Sequence, residues 1–125
     1  MSRKILYVDD ESINIELFKA SFRNDYKIFT ALSASIGLEI LEQDPNIELI
    51  ISDLKMPHMD GLEFFRVIKS RYQGKICILL TGYLEPEIML EGFNKELIFR
   101  YVMKPWRKND LAAIIEETFK RINHR

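Results

Sequence analysis

Short apolar runs near residues 4–8, 26–31, 47–52, 76–80 and 98–103 alternate with segments whose apolar residues recur every three or four positions. No feature limits the fold more. Apolar spacing of three and four marks amphipathic helices packed on something flat. Strand–helix–strand repetition then calls for a parallel sheet with right-handed crossovers. The helical segments run from Ser12 to Phe22 (stripe Ile13, Leu17, Phe18, Ala20), Ser33 to Leu41 (Ile36, Leu38, Ile40, Leu41) and Asp60 to Arg71 (Leu62, Phe65, Val67, Ile68). Two more run from Pro86 to Phe93 (Ile88, Met89, Phe93) and from Asp110 to Ile122 (Leu111, Ile114, Ile115, Thr118, Ile122). Ser33 or Ser35, Asp60 and Asn109 are suited to cap them, and Pro86 to a first helical turn.

The first, third and fourth runs are apolar at nearly every position, as strands buried on both faces are. The second, Tyr26-Lys27-Ile28-Phe29-Thr30-Ala31, carries polar Lys27 and Thr30 and reads as an edge. The expected fold is α/β, a doubly wound, flavodoxin-like, five-stranded parallel sheet in the order 2-1-3-4-5 with helices on both faces. In such sheets ligands bind beyond the carboxyl ends of the strands, where the chain direction reverses between strands one and three. Asp9-Asp10 follow the first run there, and Asp53 follows the third.

The chain has 125 residues, enough for one domain with one core, taken as residues 1–125. Net charge is −1, which argues against an electrostatic grip on nucleic acid. No apolar stretch is long enough for a bilayer, and Met1-Ser2-Arg3-Lys4 leads into a strand without a signal-peptide pattern. A cytoplasmic location is the expectation. Cys77, the only cysteine, lies inside Ile76-Cys77-Ile78-Leu79-Leu80 and reads as a buried core thiol.

Three carboxylates at one end of a sheet repel one another unless a cation lies among them or one takes a proton. A hard, oxygen-rich site of this kind suits Mg2+. Asp10 and Asp53 are the first choices as direct ligands, with Asp9 direct or through water. The backbone carbonyl of Lys55 can add a ligand where the chain turns back before Pro57. Lys104, at the end of Tyr101-Val102-Met103, brings an ammonium to the same place. Thr81 ends the fourth run, and the small Gly82 after it leaves room for a group its hydroxyl could bind.

Val8-Asp9-Asp10-Glu11, Ser52-Asp53-Leu54-Lys55-Met56-Pro57-His58-Met59-Asp60-Gly61, Leu80-Thr81-Gly82 and Lys104-Pro105-Trp106 resemble the receiver domain of two-component response regulators, essentially from end to end. The resemblance implies that Asp53 accepts a phosphoryl group from a sensor histidine kinase or a histidine phosphotransfer protein, with Mg2+ held by Asp9, Asp10 and Asp53. It makes Lys104 the lysine that meets the phosphoryl oxygens, Thr81 the switch hydroxyl and Tyr101 the switch aromatic. It also implies a cis Lys104-Pro105 bond. The charge gained at Asp53 is expected to draw Thr81 inward, let the Tyr101 ring fill the vacated space, and alter the surface of the fourth helix, fifth strand and fifth helix. The output is a separate protein or a fused domain, and phosphorylation-dependent homodimerisation fits the same reading. Lys55 and Tyr83 are expected to lean over the phosphoryl group and slow its hydrolysis.

Other readings are weaker on specific residues. Phosphatases with an aspartate nucleophile commonly need an acid two residues later, where this chain has Lys55. A mononucleotide binder would need a Gly- or Ser/Thr-rich loop after the first strand, where Asp9-Asp10-Glu11 stands. The chain is therefore expected to be a switch that turns over only its own phosphoryl group. His58 is read as an exposed loop histidine, His124 in the tail carries no reading, and Lys69, Arg71 and Lys75 read as a solvated face.

Overall fold

The chain forms β1 (Lys4–Val8), α1 (Ser12–Phe22), β2 (Lys27–Ala31), α2 (Ala34–Gln43), β3 (Leu49–Asp53), α3 (Gly61–Arg71), β4 (Ile76–Thr81), α4 (Pro86–Asn94), β5 (Arg100–Met103) and α5 (Lys108–Asn123). These come from a computed structural model, which describes residues 3–82 and 85–123. The five strands pair in parallel in the order β2-β1-β3-β4-β5, as the alternation predicts.

Successive strand residues face opposite sides of a sheet, so the solid apolar runs supply two cores. Leu6, Val8, Ile50 and Leu79 pack with Leu41, Phe64, Phe65, Ile68 and Met89 on one face. Ile5, Tyr7, Leu49, Ile51, Ile78 and Leu80 pack with Phe18, Phe22, Leu111 and Ile115 on the other. Burial of one such side chain stabilises the fold by roughly 1.5–3 kcal/mol.

The helix ends follow local chemistry. The Ser33 side chain, not Ser35, accepts the Ile36 N–H at 3.2 Å and caps α2. Asp60 caps α3 in a full capping box: its carboxylate accepts the Glu63 N–H at 2.8 Å, and Glu63 accepts the Asp60 N–H at 3.2 Å. Several expectations fail. On α1 the buried residues are Ile15, Phe18 and Phe22, whereas Ile13 is 74% and Leu17 56% exposed. Phe18 decides that rotation by stacking on Tyr7 with ring centroids 4.3 Å apart. On α2, Ile36 is also exposed, because Ala34, Gly37 and Leu41 face the core. Asn109 lies inside α5, which begins at Lys108. Lys75 is not a plain solvated charge: its ammonium donates to the carbonyls of Pro45 and Ile47 at 2.7 and 2.6 Å, and burial lowers its pKa.

Two glycines bear on the site. A Cβ on Gly61 would lie 2.4 Å from the backbone oxygen of Asp53 and 2.9 Å from Leu79 Cδ1, so α3 packs against the end of β3 only without a side chain there. The Gly61 N–H also donates to the Leu54 carbonyl at 2.9 Å. Gly92 lies within α4 and is no C-cap; a Cβ there would meet Ile98 Cδ1 at 2.2 Å.

Gly61→Ala is expected to cost about 1–3 kcal/mol, because the clash is with backbone and cannot relax by a rotamer change. Gly82→Ala, where a Cβ meets nothing within 4 Å, should be close to neutral. Urea unfolding of the two variants beside the wild type checks the contrast.

Candidate functional site

The register of the sheet brings the predicted residues together. Val8 pairs with Ser52 across β1 and β3, and Asp53 pairs with Leu80 across β3 and β4. The carboxyl ends of β1 and β3 thus lie side by side. Asp9 has the parity of Tyr7 on its strand, and Asp53 that of Ile51, so both turn towards the α1/α5 face. The Asp9 N–H donates to the Ala31 carbonyl at 3.1 Å, which extends the ladder past β1. The Lys104 N–H donates to the Thr81 carbonyl at 2.8 Å and sets lysine and threonine on adjacent strand ends. The Lys104–Pro105 peptide bond is cis.

One carboxylate oxygen from each of Asp9, Asp10 and Asp53 lies within 4.8 Å of the others. Asp9 is fully buried, Asp53 nearly so, and Asp10 is exposed. The Lys104 ammonium sits 3.2 Å from Oδ2 of Asp9 and 3.2 Å from Oδ2 of Asp53. Burial pulls the Lys104 pKa down, but Asp53 and Asp9 more than offset it, and the net shift is upward. Burial pushes the Asp53 carboxyl up against the opposing pull of Lys104. The Asp53 carboxylate therefore carries a net electrostatic cost in the folded chain, which an additional cation would relieve. The hard-oxygen donor set fits Mg2+ in both charge and chemistry.

Thr81 is fully buried at the end of β4. Tyr101 is 37% exposed on β5 and its ring packs against Phe93 of α4, centroids 6.0 Å apart. The Lys55 ammonium pairs with Glu85 Oε1 at 2.8 Å, at the residue that precedes α4. Tyr83 and His124 lie outside the described residues. His58 is exposed in the loop with φ 70°, and Cys77 is buried, its thiol pKa pushed up by burial. Trp106 meets Phe18 and Phe22 between α1 and α5, at 6.2 and 5.9 Å between centroids. Sequence reasoning missed Tyr7, whose hydroxyl donates to Asp9 Oδ2 at 3.1 Å. The only signal was a tyrosine two positions before an aspartate on one strand, hence on the same face.

A family model described as the response regulator receiver domain matches residues 5–116. HoxA, a hydrogenase transcriptional regulatory protein of Cupriavidus necator, is 26% identical over 113 residues, which is 90% of this chain and 23% of that protein. A probable cyclic di-GMP phosphodiesterase of Vibrio cholerae is 38% identical over 103 residues, 81% of this chain and 23% of that protein. A response regulator receiver domain protein from Clostridium thermocellum superposes with a TM-score of 0.88 at 32% identity, covering 95% of each chain. The chain spans under a quarter of the length of these two curated relatives. Among the described residues no helix is long and apolar enough to cross a membrane.

A carboxyl whose pKa is raised on folding costs stability above its folded value, and the cost vanishes below its ordinary value of 3.8, where both states are protonated. Asp53→Asn should therefore melt a few degrees above wild type near neutral pH in magnesium-free buffer. The difference should shrink as the pH is lowered towards the ordinary carboxylate value. Calorimetric melting across that range checks both the sign and the trend.

Proposed function

We propose, from the premise that this chain belongs to the response regulator receiver-domain family, that it accepts a phosphoryl group on Asp53 and signals through the resulting charge. Receiver domains of two-component systems serve phosphorylation-dependent signalling and are generally switches, not enzymes. The observation that carries the assignment to Asp53 is the Lys104 ammonium held 3.2 Å from both Asp9 and Asp53 at the reversal point of the sheet.

Asp53 is the nucleophile in this reading. Its carboxylate attacks phosphorus, and the bond from phosphorus to the donor's leaving atom breaks with the electron pair leaving on the donor. The product is an acyl phosphate that water can cleave. Lys104 meets the developing charge on the phosphoryl oxygens. Asp10 and Asp53, with the Lys55 carbonyl, are the residues that would hold Mg2+ directly, and Asp9 directly or through water. When bound, Mg2+ supplies charge neutralisation between the carboxylate and the phosphoryl oxygens. The added ~1.5–2 negative charges then favour inward movement of Thr81 and of the Tyr101 ring, which changes the surface of α4, β5 and α5.

The donor in this reading is a sensor histidine kinase or a histidine phosphotransfer protein. The target is a separate protein, a fused output domain or a second copy of the chain. The relatives' greater lengths favour an output domain. A cytoplasmic setting without direct nucleic-acid contact, with residues 1–125 as one receiver domain, belongs to the same proposal.

Intact mass after incubation with acetyl phosphate and Mg2+ tests the assignment. The wild type should gain one phosphoryl group and Asp53→Ala none. Continuous hydrolysis of a phosphoester substrate would favour an aspartate-dependent phosphatase instead. A second outcome concerns Lys55. A phosphoryl group on Asp53 competes with Glu85 for its ammonium, and an amine drawn inward obstructs an attacking water. The phosphorylated protein should persist for minutes, and Lys55→Ala should shorten that time. Release of phosphate within seconds from the wild type, or no change in the variant, would overturn this role.

A further inference from the structure

We propose that Tyr7 is a positioning residue of the phosphoacceptor site, holding the Asp9 carboxylate in the orientation that serves both Lys104 and a divalent cation. The inference rests on the assignment of Asp9, Asp10 and Asp53 as the cation site.

Asp9 is fully buried and accepts hydrogen bonds from three protein groups. Oδ1 takes the Glu11 N–H at 3.0 Å, and Oδ2 takes the Tyr7 hydroxyl at 3.1 Å and the Lys104 ammonium at 3.2 Å. A buried phenol needs one acceptor, and elsewhere a backbone carbonyl serves as well. Here the acceptor is the innermost carboxylate of the acidic cluster. The Tyr7 ring is itself fixed, 1% exposed and stacked on Phe18 at 10° between planes. The hydroxyl is thus a rigid donor with one target.

Two consequences follow for Asp9. Its plane is pinned from opposite oxygens by Glu11 and Tyr7, so rotation about its terminal bond breaks a buried hydrogen bond. Its Oδ2 charge is also shared, which weakens the hold of Asp9 on Lys104 and leaves the ammonium balanced between Asp9 and Asp53. Without the hydroxyl, Lys104 is drawn towards Asp9 and the carboxylate turns with it, held only by the Glu11 N–H and the ammonium itself. Groups that orient metal-site carboxylates by hydrogen bonding typically change affinity by about 10–100-fold when removed.

Tyr7→Phe keeps the ring and deletes only the donor. Calorimetric titration of the unphosphorylated protein with magnesium chloride should show roughly tenfold weaker binding for this variant than for wild type. The Glu11 amide resonance should shift in its metal-free spectrum. Phe22→Leu, in the same aromatic cluster, serves as the control. It should lower the melting temperature yet bind Mg2+ within about twofold of wild type, since no metal-orienting bond is lost. Unchanged affinity in Tyr7→Phe would overturn the proposal, and so would equal weakening in Phe22→Leu, which would mark a general packing effect. Absence of Mg2+ binding by the wild type would instead remove the cation-site reading itself, and this inference with it.

Discussion

An ammonium between two buried carboxylates is the contact on which the site depends. Lys104 lies 3.2 Å from both Asp9 and Asp53, and neither acid has much water around it. At an effective dielectric of about 20, one such pair at ~4 Å is worth about 4 kcal/mol. Removing each ion from water costs several kcal/mol. The two effects are of similar size, so the cluster adds little net stability. What it supplies is a fixed, positively charged position beside a carboxylate that burial has made costly, and a site that gains from taking up a further cation. The strand order makes the contact available. Asp9 and Asp53 come from neighbouring strands at the reversal of chain direction, and Lys104 from the strand beyond β4.

Most of this was legible because strands have a period of two and the apolar runs end sharply. Val8-Asp9 and Ser52-Asp53 mark the carboxyl ends of buried strands, and the doubly wound order sets those ends together. Residues whose role depends on rotation about a helix axis were less legible. Ile13 and Leu17 are spaced like a core stripe, yet so are Ile15, Phe18 and Phe22. Only the stacking of Phe18 on Tyr7 decides between the two faces. Tyr7 itself was hidden by its setting, since an aromatic inside Ile5-Leu6-Tyr7-Val8 reads as core and its ring is core. Only the hydroxyl belongs to the site. Lys55 carries an ion pair that was not legible at all. Its partner Glu85 is thirty residues away, on a loop whose approach no local pattern encodes.

The two helices flanking the site are anchored very differently, and this gives a switch its direction. α3 starts with a complete capping box, and its first residue, Gly61, fits against the Asp53 carbonyl with no room for a methyl group. Any shift of α3 would drag the end of β3 with it. α4 starts without a side-chain cap, because its N-cap residue Glu85 makes no capping bond and its carboxylate is engaged by Lys55. Exposed ion pairs of that kind contribute about 0–1 kcal/mol. Along its length α4 adds Arg66–Glu91 and the Lys69 ammonium on the Lys95 carbonyl, both also exposed. A charge gained at Asp53, as proposed, would attract Lys55 and so compete with its ion pair to Glu85 at the start of α4. The α3 anchorage, a capping box and the close packing at Gly61, uses neither Lys55 nor Glu85. Movement should therefore pass to α4 and to the Phe93–Tyr101 contact it shares with β5, rather than to α3, by difference in anchorage alone.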